Sequence, residues 1–271
     1  MTLPRYIVLE KLVGETPLQR VEAYRAKHPE LTDVPLAYAG RLDPMASGTL
    51  LVLVGDECKR QAEYHGLDKT YEFSVLLGIR SDTGDVLGRL TTDSSVPEVS
   101  EATLRTIAES LTGPISLPYP AYSSKTVAGK QLHQWALEGK IDNIAIPTKD
   151  SMIYSLSYRQ TETLSRQSLC QQARTKIDTL PTVTEASKAL GRDFRRDDIR
   201  ADWEQVAVAD TLPQVYQIAQ FVCTCSSGTY MRTLAEIIAA QAGARGLAWS
   251  IHRTTIGRWQ DGNWVEAYSR D

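Results

Sequence analysis

Apolar residues along this chain switch between the two-residue repeat of a strand and the three-to-four-residue repeat of a helix. Tyr6–Glu10 reads as a strand. Thr16-Pro17 then starts a helix as N-cap and first-turn proline, with Leu18, Val21 and Tyr24 or Arg25 along one side. Residues 49–54 form an unbroken apolar run, the pattern of a buried strand. Over 70–77 the pattern alternates: Tyr71, Phe73, Val75 and Leu77 share one face of a half-buried strand. Ser81–Gly88, rich in Asp and Gly, reads as a hairpin loop that returns through Arg89–Thr92. Ser100 caps an amphipathic helix carrying Leu104, Ile107, Ala108 and Leu111, and Gly113-Pro114 stops it. Residues 117–130 look extended. Leu132–Leu137 is a short helix ended by Gly139, and Met152–Tyr158 a strand. Residues 160–209 are polar and charge-rich with little alternation, which predicts two or three short helices. A long strand over 214–225, a helix over Thr229–Ala242 and a last strand over Leu247–Thr254 complete a mixed order of strands and helices.

Composition narrows the class. The chain has 271 residues, 42% hydrophobic and 23% charged, ordinary for a globular protein of one large or two small domains. No apolar run approaches the ~18 residues of a membrane helix. The start, MTLPRYIVLEK, lacks the basic and apolar regions of a signal peptide, so the expected location is the cytoplasm. The cysteines at 58, 170, 223 and 225 have no Cys-x-x-Cys spacing, and the histidines at 28, 65, 133 and 252 are scattered. A zinc site needs convergent ligands, so none is expected, and Cys223 and Cys225 read as buried free thiols on one sheet face. The net charge of −3 does not advertise a nucleic-acid coat, but a local basic groove remains compatible with it.

Four segments carry candidate chemistry. AYAGRLDPMASGTLLVLV, residues 37–54, sets one carboxylate, Asp43, on a short loop leading into an apolar strand, between Gly40 and Gly48 and fixed by Pro44. On this segment alone, an ordinary turn with a solvated Asp reads equally well. In a strand, Lys69 and Tyr71 point to the same face. CSSGTYMRTLAE, residues 225–236, puts Tyr230 and Arg232 in or near the first turn of a helix. An arginine there opposes the helix dipole and calls for a carboxylate partner. PAYSSKTVAGKQLHQWALEG, residues 120–139, is polar and aromatic, with Tyr122, Lys125 and Lys130. No phosphate loop ending in Gly-Lys-Ser/Thr is present. Asp43 precedes its strand, which argues against a phospho-aspartate hydrolase.

Together and in this order, these segments resemble the TruB family of tRNA pseudouridine synthases. The resemblance runs through GRLDPMASGTLLVLVGDECK, KTYEFSVLLGIRSDTGDVLG, PYPAYSSKTVAGKQLHQWALEG, CSSGTYMRTLAE and IHRTTIGRW, covering roughly 5–158 and 214–259. It implies an α+β fold with a mixed, mainly antiparallel central sheet flanked by helices. That fold would be a single catalytic domain over 1–271 with a helical insertion at 160–213. The activity implied is isomerisation of uridine in tRNA, most directly the T-loop uridine at position 55, without metal, redox or nucleotide cofactor. Asp43 is then the catalytic carboxylate, Arg232 its partner, and Tyr71 the ring stacked on the base with a hydroxyl able to move protons. Tyr230 and Tyr38 would shape the pocket. Arg41, Lys59, Lys69, Lys125 and Lys130 would meet phosphates, with Tyr122 in the RNA-gripping segment.

Four departures qualify the match. The family's His-Thr/Lys-Gly reads Tyr38-Ala39-Gly40 here, and Ser226-Ser227 stands where the family has Ser-Lys. KLVGETP at 11–17 only partly follows the family's Lys-Pro-x-Gly-x-Thr-Ser. Twelve residues follow Trp259, so no C-terminal RNA-binding domain is expected after it. The 160–213 segment, with nine basic and seven acidic residues between 159 and 202, could replace those RNA contacts, bind a protein partner or cover the sheet. Lying between two core strands, it is expected to be removable. Two other readings stay open: a synthase of the same fold acting on another RNA, and a non-catalytic RNA-binding or RNA-folding module that keeps the pocket.

Overall fold

The computed structural model describes residues 3–182 and 193–269. Its centre is a nine-stranded sheet. The main path runs β1 (Tyr6–Lys11), β3 (Ala46–Val54), β12 (Gly246–Gln260), β4 (Asp68–Leu77), β11 (Val215–Cys225), β10 (Thr148–Ser165) and β7 (Gly113–Pro118). β2 (Leu36–Ala39) joins β3, and β13 (Asn263–Tyr268) joins β12. Every pairing in the sheet is antiparallel except β3 with β12. That parallel contact sets Gly48 beside Arg253, and the antiparallel pairing of β4 with β12 sets Tyr71 beside the same arginine. The register thus brings the loop before β3 and the tyrosine of β4 to one place.

Helices cover the sheet on both sides. On one side α3 (Glu101–Ser110) and α7 (Met231–Gln241) bury Leu104, Ile107, Leu234 and Ile238 against Phe73, Val75, Ala219 and Phe221. On the other, α5 (Arg166–Asp178) and α6 (Arg196–Val208) bury Leu169, Ile177, Ile199 and Trp203 against Leu76, Ile218, Leu247 and Trp249. α1 (Pro17–Arg25) packs Val21 on Leu9, Leu50 and Val52 beside this frame. Its start follows the sequence: Thr16 accepts from the Gln19 amide, and the Gln19 side chain accepts from the Thr16 amide. Ser100 caps α3 as expected.

Several expectations change. β4 is not half-buried: Phe73 to Leu77 are buried on both faces, because α5 and α6 cover the side that alternation assigns to solvent. Leu18 is exposed, because α1 turns Pro17 and Val21 inward instead. β10 continues through Ser165, so the polar stretch from 160 begins as strand paired with β11. β12 is not last; Gly262, with a positive φ of 85°, turns the chain into β13. The 160–213 segment contributes two helices, while the part of that expectation falling on 183–192 lies outside the described residues. The segment is packed into the core rather than looped out: Trp203 is fully buried and its indole N–H donates to the Val86 carbonyl, 3.2 Å. Among the described residues, no helix is long and apolar enough to cross a membrane and no three potential ligands cluster as a metal site. All four cysteines are free thiols, with Cys223 and Cys225 buried.

Candidate active site

The loop between β2 and β3 carries Asp43 and is held from three sides. Lys11, fully buried at the end of β1, donates its ammonium to the carbonyls of Leu12 (2.9 Å), Pro44 (3.4 Å) and Ala46 (2.5 Å). Burial pulls this amine down to about 8, partly offset by the carboxylates of Glu15 and Asp43. The Gly14 amide also donates to the Pro44 carbonyl, 2.9 Å. On the far side, buried Arg253 donates to the carbonyls of Thr49 (2.9 Å) and Gly40 (3.2 Å), tying the start of the loop and the strand that follows it to β12. Gly48 has φ +108°, and a Cβ there would collide with the Arg253 backbone, so this close pairing requires glycine.

Asp43 meets Arg232 at the start of α7, with Nε to Oδ2 at 2.8 Å. The two are unequally placed: the Asp43 side chain is 46% exposed, the Arg232 side chain 7%. The rest of the guanidinium is fixed by backbone, with Nη1 donating to the Thr83 carbonyl (2.6 Å) and Nη2 to the Tyr122 carbonyl (3.2 Å). Gly84 lets this happen, since a Cβ there would press on the Arg232 Cβ at 3.2 Å. Such a planar guanidinium, with each of its three nitrogens engaged, is a rigid counter-charge for an accessible carboxylate. The buried Asp85 carboxyl lies nearby, accepting from the Thr83 hydroxyl (2.8 Å) and the Leu87 amide (3.0 Å). Burial raises its pKa, and Asp43 adds to the rise while Arg232 opposes it.

Four tyrosines lie on the elements that carry the pair or its neighbours. Tyr230 is the residue just before α7, and its ring lies 5.3 Å from that of Tyr119. Burial raises its hydroxyl, with Tyr119 and Asp43 adding to the rise. Tyr71 is partly buried on the α3–α7 side of the sheet. Its hydroxyl is pushed up to about 12 by burial, against the opposing charge of Arg253. Tyr122 contributes its carbonyl to Arg232, and its hydroxyl donates to Asp82, 3.2 Å.

The expected RNA-facing residues separate into groups. Arg41 is exposed on the Asp43 loop. Lys125 is exposed, its ammonium 5.0 Å from the Tyr119 ring centroid. Lys130 is engaged by Glu138 at 2.7 Å and lies 4.5 Å from the Trp135 ring, and Lys59 pairs with Asp56 at 2.7 Å. Lys69 departs from expectation: it is buried, and its ammonium donates to the Leu67 carbonyl and to Ser227 (3.2 Å). Burial pulls it down to about 8, with Arg253 adding to the fall. Tyr38 also departs, packing with Tyr24 and Leu36 on the α1 side instead of beside the Asp43–Arg232 pair. Lys11, Asp85 and Arg253 were missed. All three lie inside the segments that carry the resemblance, but only the fold brings Lys11 and Arg253 to the loop and Asp85 beside the pair.

The family model described as "TruB family pseudouridylate synthase (N terminal domain)" matches residues 33–179. A protein named tRNA pseudouridine synthase 4, from Saccharomyces cerevisiae, is 34% identical over 136 residues, 50% of this chain and 34% of that protein. A tRNA pseudouridine synthase B from Psychrobacter cryohalolentis is 27% identical over 254 residues, 93% of this chain and 55% of that protein. The chain thus spans between about a third and somewhat over half of the length of these relatives. Among solved structures, a Cbf5-Nop10-Gar1 complex matches with TM-score 0.54 at 15% identity, covering 93% of this chain and 48% of the matched one. An H/ACA RNP bound to a substrate RNA containing 2'-deoxyuridine matches with TM-score 0.52 at 14% identity, covering 98% and 49%. These two show the shared fold. With the family model covering more than half of the chain, the protein belongs to the TruB family of pseudouridylate synthases.

Proposed function

We propose that the protein isomerises uridine to pseudouridine in tRNA, with the T-loop uridine at position 55 as its target. One observation carries this reading: an accessible carboxylate, Asp43, locked to a buried guanidinium, Arg232, whose other nitrogens are spent on fixed backbone carbonyls. Relatives named tRNA pseudouridine synthase support the choice of RNA.

The reaction breaks the N1–C1′ bond, turns the base and joins C5 to C1′, moving one proton from C5 while N1 gains one. Asp43 is the carboxylate that adds to the ribose or base, or assists that proton movement. Arg232 keeps it anionic as the base closes the site from water. Tyr71 stacks on the turned base, and Tyr230 with Tyr119 forms the adjoining wall. Turning a uridine out of a folded loop costs a few kcal/mol, which stacking offsets. Arg41 and Lys125, both exposed, are our candidates for phosphate contacts.

The test is to incubate the protein with unmodified tRNA transcripts and map pseudouridine by chemical sequencing. Conversion at the T-loop uridine is the expected result. Conversion elsewhere, or only in another RNA, would replace the substrate. RNA binding without conversion of any tested RNA would leave a non-catalytic RNA-binding role.

A further inference from the structure

The turn leading into α6 is unusual. Phe194 and Arg195 are both in the left-handed backbone region, with φ 50° and 58°. Side chains with a Cβ rarely adopt it. Arg195 makes a two-pronged ion pair with Asp82, Nη1–Oδ2 2.7 Å and Nη2–Oδ1 3.3 Å. Its guanidinium carbon lies 4.8 Å from the centre of the Tyr122 ring. The Phe194 ring meets that same ring edge-on, 6.2 Å between centroids. The triangle closes because the Tyr122 hydroxyl donates to Asp82, 3.2 Å.

The far side of the triangle is the Asp43 site. Asp82 immediately precedes Thr83, whose carbonyl accepts from Arg232 Nη1. The Tyr122 carbonyl accepts from Arg232 Nη2. The two acceptors lie on segments far apart in sequence, and Arg195 touches both segments from behind. α6 also grips the return of the first segment. Asp202 pairs with Arg89 (2.7 Å) and accepts from the Leu90 amide (3.0 Å), while Trp203 holds the Val86 carbonyl.

We propose that Arg195 is a positioning residue of the Asp43–Arg232 site. It clasps the 82–83 turn to Tyr122, so that Arg232, and through it Asp43, keeps one orientation. The proposal rests on the reading of Asp43 as the reacting carboxylate. The clasp needs a flat fork that can pair with a carboxylate and cover a ring at once, which lysine cannot reproduce. It acts on rate more than on RNA affinity, because both Arg195 Nη atoms are engaged by Asp82.

The test compares wild type, Arg195→Ala, Arg195→Lys and Arg195→Ala/Asp82→Asn in the full chain. It measures single-turnover pseudouridine formation, filter binding of the same tRNA transcript, and amide hydrogen exchange. Arg195→Ala is expected to slow the single turnover about tenfold while affinity stays within about twofold, as loss of orientation does. Lys should restore little. The double variant should be no slower than Arg195→Ala alone, because the two side chains act as one unit. Exchange should quicken in 82–90 and 119–124 and stay unchanged in α5. Wild-type rate together with wild-type exchange in Arg195→Ala overturns the proposal. So does faster exchange across the whole chain, which would make Arg195 a general stability residue. If wild type converts no RNA, the functional reading falls and exchange alone decides. Quickening confined to those two segments sustains the clasp, and no change sinks it.

Discussion

Asp43 and Arg232 divide their work by exposure: the half-exposed carboxylate faces solvent, and the buried guanidinium is spent on Thr83 and Tyr122. Arg253 plays the matching part below the loop, and its guanidinium is the positive charge that opposes the burial of the Tyr71 hydroxyl. Tyr71→Phe should slow the chemical step in single turnover with little change in RNA affinity. Tyr71→Leu should weaken binding as well, since stacking is worth ~1–3 kcal/mol per base. Equal rates for wild type and Phe would make the hydroxyl a bystander. Arg253→Met leaves the Gly40 and Thr49 carbonyls without their buried donor, a cost of about 1–3 kcal/mol for each orphaned acceptor. Urea unfolding should show that loss, and an unchanged midpoint would contradict the role given to Arg253. Asp43 and Arg232 were legible in sequence because a carboxylate between glycines and an arginine at a helix start each ask for an explanation. Arg253 was not, because its meaning comes from lying beside Gly48 and Tyr71 on two different neighbouring strands.

α6 shows why the element scale was harder to read. Its apolar residues, Ile199, Trp203 and Val206, are spaced for one buried helix face, yet Arg and Asp residues between them make the stretch look like a solvated linker. The same blindness made β4 look half-buried, since alternation reports one covered face and says nothing of a helix pair arriving from roughly 90 to 130 residues away in sequence. Elements set by local signals came through better. Thr16-Pro17 starts α1, Ser100 starts α3, and Leu132–Leu137 is a helix as expected. The consequence for α6 is testable. Trp203→Ala should cost about 3–5 kcal/mol, the usual range for emptying a fully buried tryptophan site. In urea the midpoint should fall while the slope holds. A midpoint within error of wild type would return 160–213 to the status of a removable cover.

Across the whole molecule, packing on both faces of the sheet encloses Lys11 and Lys69 and half-buries Lys176. Lys11, Lys69 and Lys176 are each pulled by burial to about 8 from an ordinary 10.5. Between these values the unfolded chain binds more protons than the folded one, so their effect is to raise stability as pH climbs from about 8 toward 10.5, and to remove that gain as pH falls through 8. Lys176, which donates to the Trp249 carbonyl at 2.7 Å, lies outside the proposed site and is the one to vary. Wild type should gain stability relative to Lys176→Met between pH 8 and 10, and parallel stability curves would contradict the burial assigned to this amine. The sheet and its helices exist, on this account, to hold one carboxylate still in front of an RNA base. The most direct measurement is single-turnover conversion of an unmodified tRNA transcript by wild type and by Asp43→Asn, with RNA affinity measured on both. Wild type should form pseudouridine and the asparagine variant none, at near-equal affinities. Turnover by Asp43→Asn, with deamidation excluded by mass, would contradict it.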